Sequence, residues 1–155
     1  MKREFPDHPL VGVGGVVIHD GRALLIRRGT EPLKGQWSIP GGTLELGETL
    51  AEGVARELRE ETGVEVRVVG LIEIFERIFP QPDGAANPRP QYHFVIADYL
   101  CEVVAGTPAA GSDVTDVALV REEDLAQYAL TPTATRVVKR AFAMTRARAN
   151  SKIGK

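Results

Sequence analysis

The chain has 155 residues, 43% of them apolar, and a formal net charge of -2. At this length folding buries roughly 68 to 70% of the surface of the unfolded chain, so one hydrophobic core is expected. A charge so close to zero gives no global attraction to nucleic acid or to an anionic membrane. We therefore expect a single domain over residues 1–155, with a core of about residues 10–148 and frayed termini.

Signals for export and crosslinking are absent from the sequence. The single cysteine, Cys101, has no partner for an internal disulfide. The first residues, MKREFPDHPL, lack the apolar core of a signal peptide, and no apolar run approaches the ~20 residues that cross a bilayer. We expect a soluble, cytoplasmic protein with no membrane partner.

A β-hairpin is the first predicted element. Residues 11–19, VGVGGVVIH, are rich in β-branched side chains, and an Asp20-Gly21 turn leads into ALLIRR at residues 23–28. Residues 35–42, GQWSIPGG, are extended but interrupted by Pro40 and two glycines. This interruption predicts a loop immediately before the next element.

That next element is predicted to be a helix from about Leu50 to Thr62. Thr49 and Glu52 have the spacing of a capping box, in which each side chain accepts a hydrogen bond from the backbone of the other. Gly63 stands where a left-handed C-terminal cap is needed. Both ends of the helix are thus predicted from local chemistry.

Strands and a second helix are predicted after the first helix. Residues 64–79 and 91–104 alternate as strands do, and the proline-rich residues 80–90 between them are predicted to form an irregular loop. The short apolar stretch at residues 117–120 follows another loop, and helical spacing begins at about Thr131. This order predicts an α/β fold with a sheet between helices. The basic residues of the last helix are interpreted as a solvated face, without a nucleic-acid partner: Arg136, Lys139, Arg140, Arg146 and Arg148.

Three carboxylates crowd into about one turn of the first predicted helix: Glu57, Glu60 and Glu61. On a helical wheel Glu57 and Glu61 border the apolar face formed by Val54 and Leu58. Like charges one turn apart repel each other, and apolar neighbours disfavour the charged form further. The arrangement therefore needs an explanation.

Two explanations are available for the acidic turn. A solvated face balanced by Arg56 and Arg59 accounts for Glu60, which lies one turn after Arg56, but not for Glu57 and Glu61. A hard divalent cation accounts for both, because magnesium binds carboxylate oxygens and completes its shell with water and substrate phosphates. Zinc fits poorly, since the histidines and the cysteine form no ligand-spaced motif.

The acidic turn belongs to a longer motif. Gly42 is followed by five residues and Glu48, and then by seven residues and RELREETGV at residues 56–64. This pattern resembles the complete signature of the Nudix hydrolase family at all nine fixed positions across 23 residues. The flanking stretches ALLIRR and GQWSIPGG also resemble the family, so the similarity covers about residues 10–140.

The resemblance implies a fold, a reaction and a cofactor. The implied fold is an α/β/α sandwich around a mixed β-sheet. The implied reaction is hydrolysis of a nucleoside diphosphate linked to another moiety, which gives a nucleoside monophosphate and a phosphorylated remainder. The implied cofactor is Mg²⁺ or Mn²⁺.

The resemblance also assigns roles in the signature. Glu57, Glu60 and Glu61 are the implied metal-binding carboxylates, and the backbone carbonyl of Gly41 or Gly42 is an implied further ligand. These carboxylates are also candidate catalytic residues.

The resemblance also implies a supporting ion pair and a further acidic residue. Glu48 and Arg56 are the implied ion pair that holds the glycine loop onto the helix. Family members often draw another acidic residue from a loop before a late strand, and Asp113 is the candidate here, with Asp116 second. A plain turn-forming role for both aspartates remains open. We expect Glu61 or Asp113 to act as the general base.

Substrate choice is the least determined feature. Pro80, sixteen residues after Val64, resembles a marker of ADP-ribose pyrophosphatases, although a proline there also suits the end of a strand. The candidate substrate contacts are Arg27, Arg28, Arg77, Phe79 and Pro80. Arg89 could also contact phosphate, and Phe75 or Tyr92 could stack on a base. Each of these residues also suits a surface or core position. Trp37 is interpreted as a core residue.

We expect a nucleotide small molecule as substrate, most simply ADP-ribose or a relative of it. The first alternative is a pyrophosphatase of nucleoside triphosphates, oxidised ones included. The second is a nucleotide sensor that keeps the fold without turnover, although such proteins usually lack a signature carboxylate. The resemblance also allows a homodimer, which many relatives form.

Overall fold

The computed structural model describes residues 2–81 and 89–153. Within these ranges the chain forms seven strands, two α-helices and one 3-10 helix. The strands are β1 (Leu10–His19), β2 (Arg22–Arg28), β3 (Trp37–Ser38), β4 (Gly41–Thr43), β5 (Glu65–Phe79), β6 (Tyr92–Ala105) and β7 (Val114–Arg121). The helices are α1 (Leu50–Thr62) and α2 (Pro132–Ile153), and the 3-10 helix is Glu122–Tyr128.

The strands form one mixed sheet in the order β3-β2-β1-β6-β5, to which β4 adds by pairing with β1 and β7 by pairing with β2. Strands β1 and β6 are parallel, and the other pairs are antiparallel. The predicted hairpin is confirmed: Asp20 and Gly21 connect β1 to β2 with φ of +50° and +73°, the values that a tight hairpin turn requires.

A helix covers each face of the sheet. Because successive strand residues point to opposite faces, Val16 and Val17 of β1 belong to different apolar clusters. The cluster under α2 includes Val16, Leu25, Leu100, Val137 and Phe142, and the cluster under α1 includes Val17, Leu24, Val54, Leu58 and Cys101. Each fully buried Leu or Val contributes roughly 1.5 to 3 kcal/mol. The expected α/β/α sandwich around a mixed sheet is confirmed.

Some elements differ from the sequence-based prediction. Strands β3 and β4 lie inside the predicted loop, because residues 41–43 pair with β1 across the sheet. The 3-10 helix Glu122–Tyr128 was not predicted. Helix α2 continues to Ile153, five residues beyond the core boundary expected at about residue 148, and frayed termini stay a prediction. Most of the predicted proline-rich loop, residues 82–88, lies outside the described residues.

The basic residues of α2 lie on its exposed side, and four of the five form ion pairs. Arg136 and Arg140 both contact Glu73 of β5, while Arg146 contacts Glu122 and Arg148 contacts Glu102. Among residues 2–81 and 89–153, no helix is long and apolar enough to cross a bilayer. The expected homodimer and cytoplasmic location stay predictions.

Candidate active site

Local chemistry fixes both ends of α1 as predicted. The Thr49 hydroxyl accepts a hydrogen bond from the Glu52 backbone N–H at 3.1 Å, and the Glu52 carboxylate accepts one from the Thr49 N–H at 3.4 Å. Gly63 ends the helix in the left-handed conformation at φ +73°. Val54 and Leu58 are fully buried, so the rotation of the helix about its axis is fixed as well.

Glu61 lies at the buried edge of α1, as the helical wheel indicated. Only 8% of the residue is exposed. Its carboxylate accepts a hydrogen bond of 2.7 Å from the backbone N–H of Gly41, which joins the helix to β4. Burial, assisted by the nearby charges of Glu57 and Asp113, raises the pKa of Glu61 to about 8, against the opposing effect of the Gly41 N–H.

Glu57 is held against the glycine loop. A Cβ atom at Gly42 would lie 2.5 Å from the Glu57 carboxyl carbon, so only glycine leaves room for this carboxylate. Arg56 Nη1 donates a hydrogen bond of 2.8 Å to Glu57. Burial raises the pKa of Glu57, and Arg56 opposes the shift.

Arg56 joins the helix to the loop that precedes it. Its Nε and Nη2 donate to the two oxygens of Glu48 at 2.6 and 3.0 Å, and Nη2 also donates to the Thr43 carbonyl at 3.1 Å. The ion pair expected between Glu48 and Arg56 is present. Arg56 Nη1 further reaches Glu60 at 3.2 Å, so this one guanidinium contacts Glu57 and Glu60 together. The sequence indicated only the Glu60 contact, because Glu57 is its immediate neighbour and not one turn away.

Asp113 is brought to the acidic turn by the loop that caps α1. Backbone N–H groups of residues 109, 111 and 112 donate to the carbonyls of Thr62, Glu61 and Glu60. The loop thereby satisfies the last carbonyls of the helix and places Asp113 in the same cavity as the three glutamates. Asp116, the second candidate, instead lies in β7 and accepts a hydrogen bond from the Val117 N–H at 2.8 Å.

An acidic cavity with a volume of about 340 Å³ lies beside α1. Its lining includes four carboxylates together with the two loop glycines: Glu57, Glu60, Glu61, Asp113, Gly41 and Gly42. In the part of the chain that is described, no three acidic, histidine or cysteine side chains are arranged around a single point as metal ligands. Glu57 and Glu60 turn toward Arg56 instead. The donor set is nevertheless all oxygen, and the buried, mutually repelling Glu57 and Glu61 suit a hard cation such as Mg²⁺.

A second, more apolar cleft opens next to this cavity. The two share the strand Gly41–Thr43 and the guanidinium groups of Arg3 and Arg28. Arg28, Arg77 and Phe79, three of the predicted substrate contacts, line the cleft, and so does Phe75. Burial lowers the pKa of both Arg28 and Arg77.

Other candidate substrate contacts lie elsewhere. Arg27 and Pro80 line neither cavity, and Arg27 Nε donates to the Gly35 carbonyl at 3.0 Å. Arg89 donates hydrogen bonds to the backbone of Phe5 and Pro6, which holds the N-terminal segment. Roles for these residues in substrate binding stay predictions. Tyr92 is buried against Phe79 and Phe94, and Trp37 packs edge-on against Tyr128 at 5.1 Å, as a core residue would.

Two cleft residues were not anticipated from the sequence. Arg3 reaches the cleft because residues 2–7 pack against the start of β6, and its guanidinium lies 5.8 Å from the centre of the Phe94 ring. Asp98 lies in the middle of β6 and is 4% exposed. Burial raises the pKa of Asp98 to about 7, opposed by the charge of Arg77. A lone aspartate inside the apolar run FVIADYL was the available signal for Asp98; nothing in the sequence signalled Arg3.

The fold and these two cavities define an α/β protein with an acidic, oxygen-lined site of the kind that binds cations and phosphates. The chain belongs to the Nudix family, because the family model of the NUDIX domain matches residues 8–141. It is 36% identical over 109 residues to an ADP-ribose pyrophosphatase of Methanocaldococcus jannaschii, covering 70% of this chain and 60% of that protein. It is also 34% identical over 119 residues to phosphatase NudJ of Escherichia coli O1:K1, covering 77% of this chain and 72% of the relative.

A solved structure agrees with the family assignment. The MutT NUDIX hydrolase of Burkholderia pseudomallei is 29% identical, with a TM-score of 0.72 over 86% of this chain and 98% of that one. The matched segment spans 60% of the archaeal pyrophosphatase and, over 71 residues, 44% of a MutT-like protein of Streptomyces ambofaciens.

Proposed function

We propose that this protein is a divalent-cation-dependent pyrophosphohydrolase that cleaves a nucleoside diphosphate linked to another moiety. The observation that carries the proposal is the convergence of Glu57, Glu60, Glu61 and Asp113 on one cavity beside the glycine loop. The products would be a nucleoside monophosphate and a phosphorylated remainder. Water attacks one phosphorus atom, the anhydride oxygen leaves with its electron pair, and the proton of the water passes to a carboxylate.

The acidic turn would hold the cofactor. Glu57, Glu60 and Glu61, with the carbonyl of Gly41 or Gly42, are the proposed ligands of Mg²⁺ or Mn²⁺. When bound, such an ion offsets phosphate charge and lowers the pKa of a coordinated water. Arg56 fixes the backbone of the ligands by joining Glu48 and the Thr43 carbonyl to α1.

Other charged residues of the site are candidates for the general base and for the contact with the diphosphate. The carboxyl groups of Glu61 and Asp113 line the cavity in which the attacking water would lie, and a carboxylate within hydrogen-bond reach of that water can accept its proton. We propose that one of these two takes the proton of the attacking water. Arg28, at the junction of the cavity and the cleft, is the proposed contact of the diphosphate.

An ADP-ribose-like molecule is the proposed substrate. The archaeal relative, an ADP-ribose pyrophosphatase, and the position of Pro80 support this choice. The aromatic cleft beside the acidic cavity provides room for a nucleoside. Nucleoside triphosphates are the second candidate.

Glu61→Gln and Asp113→Asn test the catalytic assignment. We expect at least one of them to lower kcat by about 10² to 10⁴-fold at saturating Mg²⁺, because general-base catalysis contributes about that much. Glu76→Gln, an exposed change in β5, is the matched control and should keep full turnover. Nearly full turnover in both test variants would exclude these two residues as the base. Turnover that persists in excess chelator would exclude the cation.

A substrate panel separates the candidate functions. ADP-ribose, nucleotide sugars, NADH, diadenosine polyphosphates and nucleoside triphosphates are compared by kcat/KM with Mg²⁺. The highest value is expected for ADP-ribose. A higher kcat/KM for triphosphates would identify the protein as a nucleoside triphosphate pyrophosphatase. Tight binding without turnover of any compound would indicate a nucleotide sensor.

A further inference from the structure

A buried carboxyl faces the apolar cleft from the centre of the sheet. Asp98 of β6 lies opposite Gly14 of the parallel strand β1. A Cβ atom at residue 14 would lie 2.3 Å from Asp98 Oδ1 and 3.2 Å from the Pro40 carbonyl oxygen, so the carboxyl occupies the space that a side chain on β1 would take. The two strands thus keep a place for this carboxyl group.

No donor in the described part of the chain forms a hydrogen bond with this carboxyl. Within residues 2–81 and 89–153, Asp98 has neither a hydrogen bond nor an ion pair within 4.0 Å, although it is 4% exposed. Arg77 attracts it electrostatically from β5 without a direct contact. No side-chain oxygen or nitrogen of the described chain is both sealed from solvent and unpartnered. The carboxyl oxygens of Asp98 therefore open into the cleft that the residue lines.

An unpartnered carboxyl that is only 4% exposed is costly, because it has lost most of its contact with water without gaining a protein donor. A bound molecule that offers an N–H or O–H group at this point would remove the cost. The free protein is therefore less stable than it would be with a partner for Asp98. A buried polar group without a partner is often one that binds a ligand.

The walls of the cleft indicate which donor fits. Phe75, Phe79 and Phe94 line it, together with Ile39 and Ile96. Flat apolar walls favour an aromatic ring over a sugar, whose hydroxyl groups would each need a partner. Because the cleft joins the acidic cavity at Gly41–Thr43, a nucleotide with its phosphates beside the glutamates can place its base here.

We propose that Asp98 is a specificity-determining residue that accepts a hydrogen bond from the exocyclic amino group of an adenine base seated in this cleft. The inference rests on the proposed function only in that the bound molecule is an adenine nucleotide. It assigns to one carboxyl the discrimination between adenine, which presents an amino donor, and hypoxanthine, which presents a carbonyl acceptor at the same position.

Direct binding tests this role without relying on turnover. The dissociation constants of AMP, IMP and ribose 5-phosphate are measured by calorimetry for the wild type and for Asp98→Asn with the cation present. At a pH above the pKa of Asp98, where the carboxyl is charged, we expect the wild type to bind AMP about tenfold or more tightly than IMP, because a charged hydrogen-bond acceptor would face the IMP carbonyl. Asparagine can donate or accept, so the AMP-to-IMP ratio should fall to about threefold or less in Asp98→Asn.

Control variants separate the effect of Asp98 from general effects on charge and folding. Asp20→Asn removes a carboxylate from the exposed hairpin turn, away from the cleft, and should leave the ratio unchanged. Asp98→Ser provides a second neutral side chain if Asp98→Asn does not fold, and the same loss of discrimination is expected. Equal weakening of AMP and IMP in the Asp98 variants would overturn the proposal, since it indicates a counter-ion of Arg77. Weakening of ribose 5-phosphate alone would also overturn it, because the carboxyl would then bind a sugar hydroxyl.

Failure of the proposed function gives a different result. A protein that discriminates AMP from IMP through Asp98 but hydrolyses no diphosphate keeps the inference and loses the proposed reaction. A protein that hydrolyses ADP-ribose but whose AMP-to-IMP ratio is unchanged in Asp98→Asn keeps the reaction and loses the inference.

Discussion

Arg56 shows how one side chain decides the geometry of several others. Its side chain is 14% exposed and contacts Glu48, Glu57 and Glu60 as well as the Thr43 carbonyl. The planar guanidinium can satisfy both oxygens of Glu48 while a second N–H group points to the acidic turn. A lysine has the same charge but lacks the fixed fork of donors.

Arg56→Lys should therefore destabilise the protein although the charge is kept. We expect the free energy of unfolding to fall by about 1 to 3 kcal/mol, the typical value for lost hydrogen bonds to charged groups. Arg59→Lys is the control on the same helix, because Arg59 is 52% exposed and has a single 3.8 Å contact to Glu65. Urea denaturation of both variants measures the difference; equal, small losses would show that the Arg56 fork contributes little.

At the scale of an element, α1 depends on a loop distant in sequence. The loop of residues 106–113 donates N–H groups to the last carbonyls of the helix, and Gly111 makes the closest approach. A Cβ atom at Gly111 would lie 2.0 Å from the Glu60 carbonyl oxygen. Because that oxygen belongs to the helix backbone, it cannot move aside without unwinding the last turn.

Gly111→Ala should push the loop off the helix and carry Asp113 with it. We expect a loss of about 1 to 3 kcal/mol in unfolding free energy, as for other overpacked sites, together with a lower kcat. Gly70→Ala is the matched glycine substitution, since no atom lies within 4 Å of its Cβ position. Thermal and urea unfolding with parallel turnover assays check both effects. If the two alanine variants behave alike, the close packing of the loop is not needed.

At the scale of the whole molecule, burial of acids makes stability depend on pH. The Asp98 carboxyl faces Arg77 and Glu73 of β5, with Arg3 and Arg28 on the same cleft. Its pKa rises from the ordinary value of 3.8 to about 7 in the folded state. Between these values the folded protein binds more protons than the unfolded chain, so the contribution of Asp98 to stability falls as pH rises.

Asp98→Asn should remove this pH dependence. The unfolding free energy of the variant should gain on the wild type from about pH 4 to about pH 7 and then remain level. The gain is at most about 4 kcal/mol, from roughly 1.4 kcal/mol for each unit of pKa. Urea denaturation of the metal-free proteins between pH 4 and pH 8 measures it. Parallel profiles of the two proteins would contradict a raised pKa of Asp98.

Much of the fold could be predicted because it depends on neighbours in sequence. The ends of α1 follow from Thr49, Glu52 and Gly63, whose hydrogen bonds span a few residues. The hairpin follows from Asp20 and Gly21 for the same reason. Strand β4 was missed, because its three residues are extended only through pairing with β1.

The candidate site also contains residues that could be predicted from the sequence and residues that could not. The sequence by itself determined the acidic turn, the Glu48–Arg56 pair and the family, since these residues are joined by one helix and the loop before it. Only the tertiary structure shows that Asp113, and not Asp116, lines the acidic cavity, and only it brings Arg3 and Asp98 to the cleft. Asp113 is placed by the loop that caps α1, Asp98 by the pairing of β6 with β1, and Arg3 by the packing of the N-terminal segment on β6. Such long-range packing leaves no periodic pattern in the sequence.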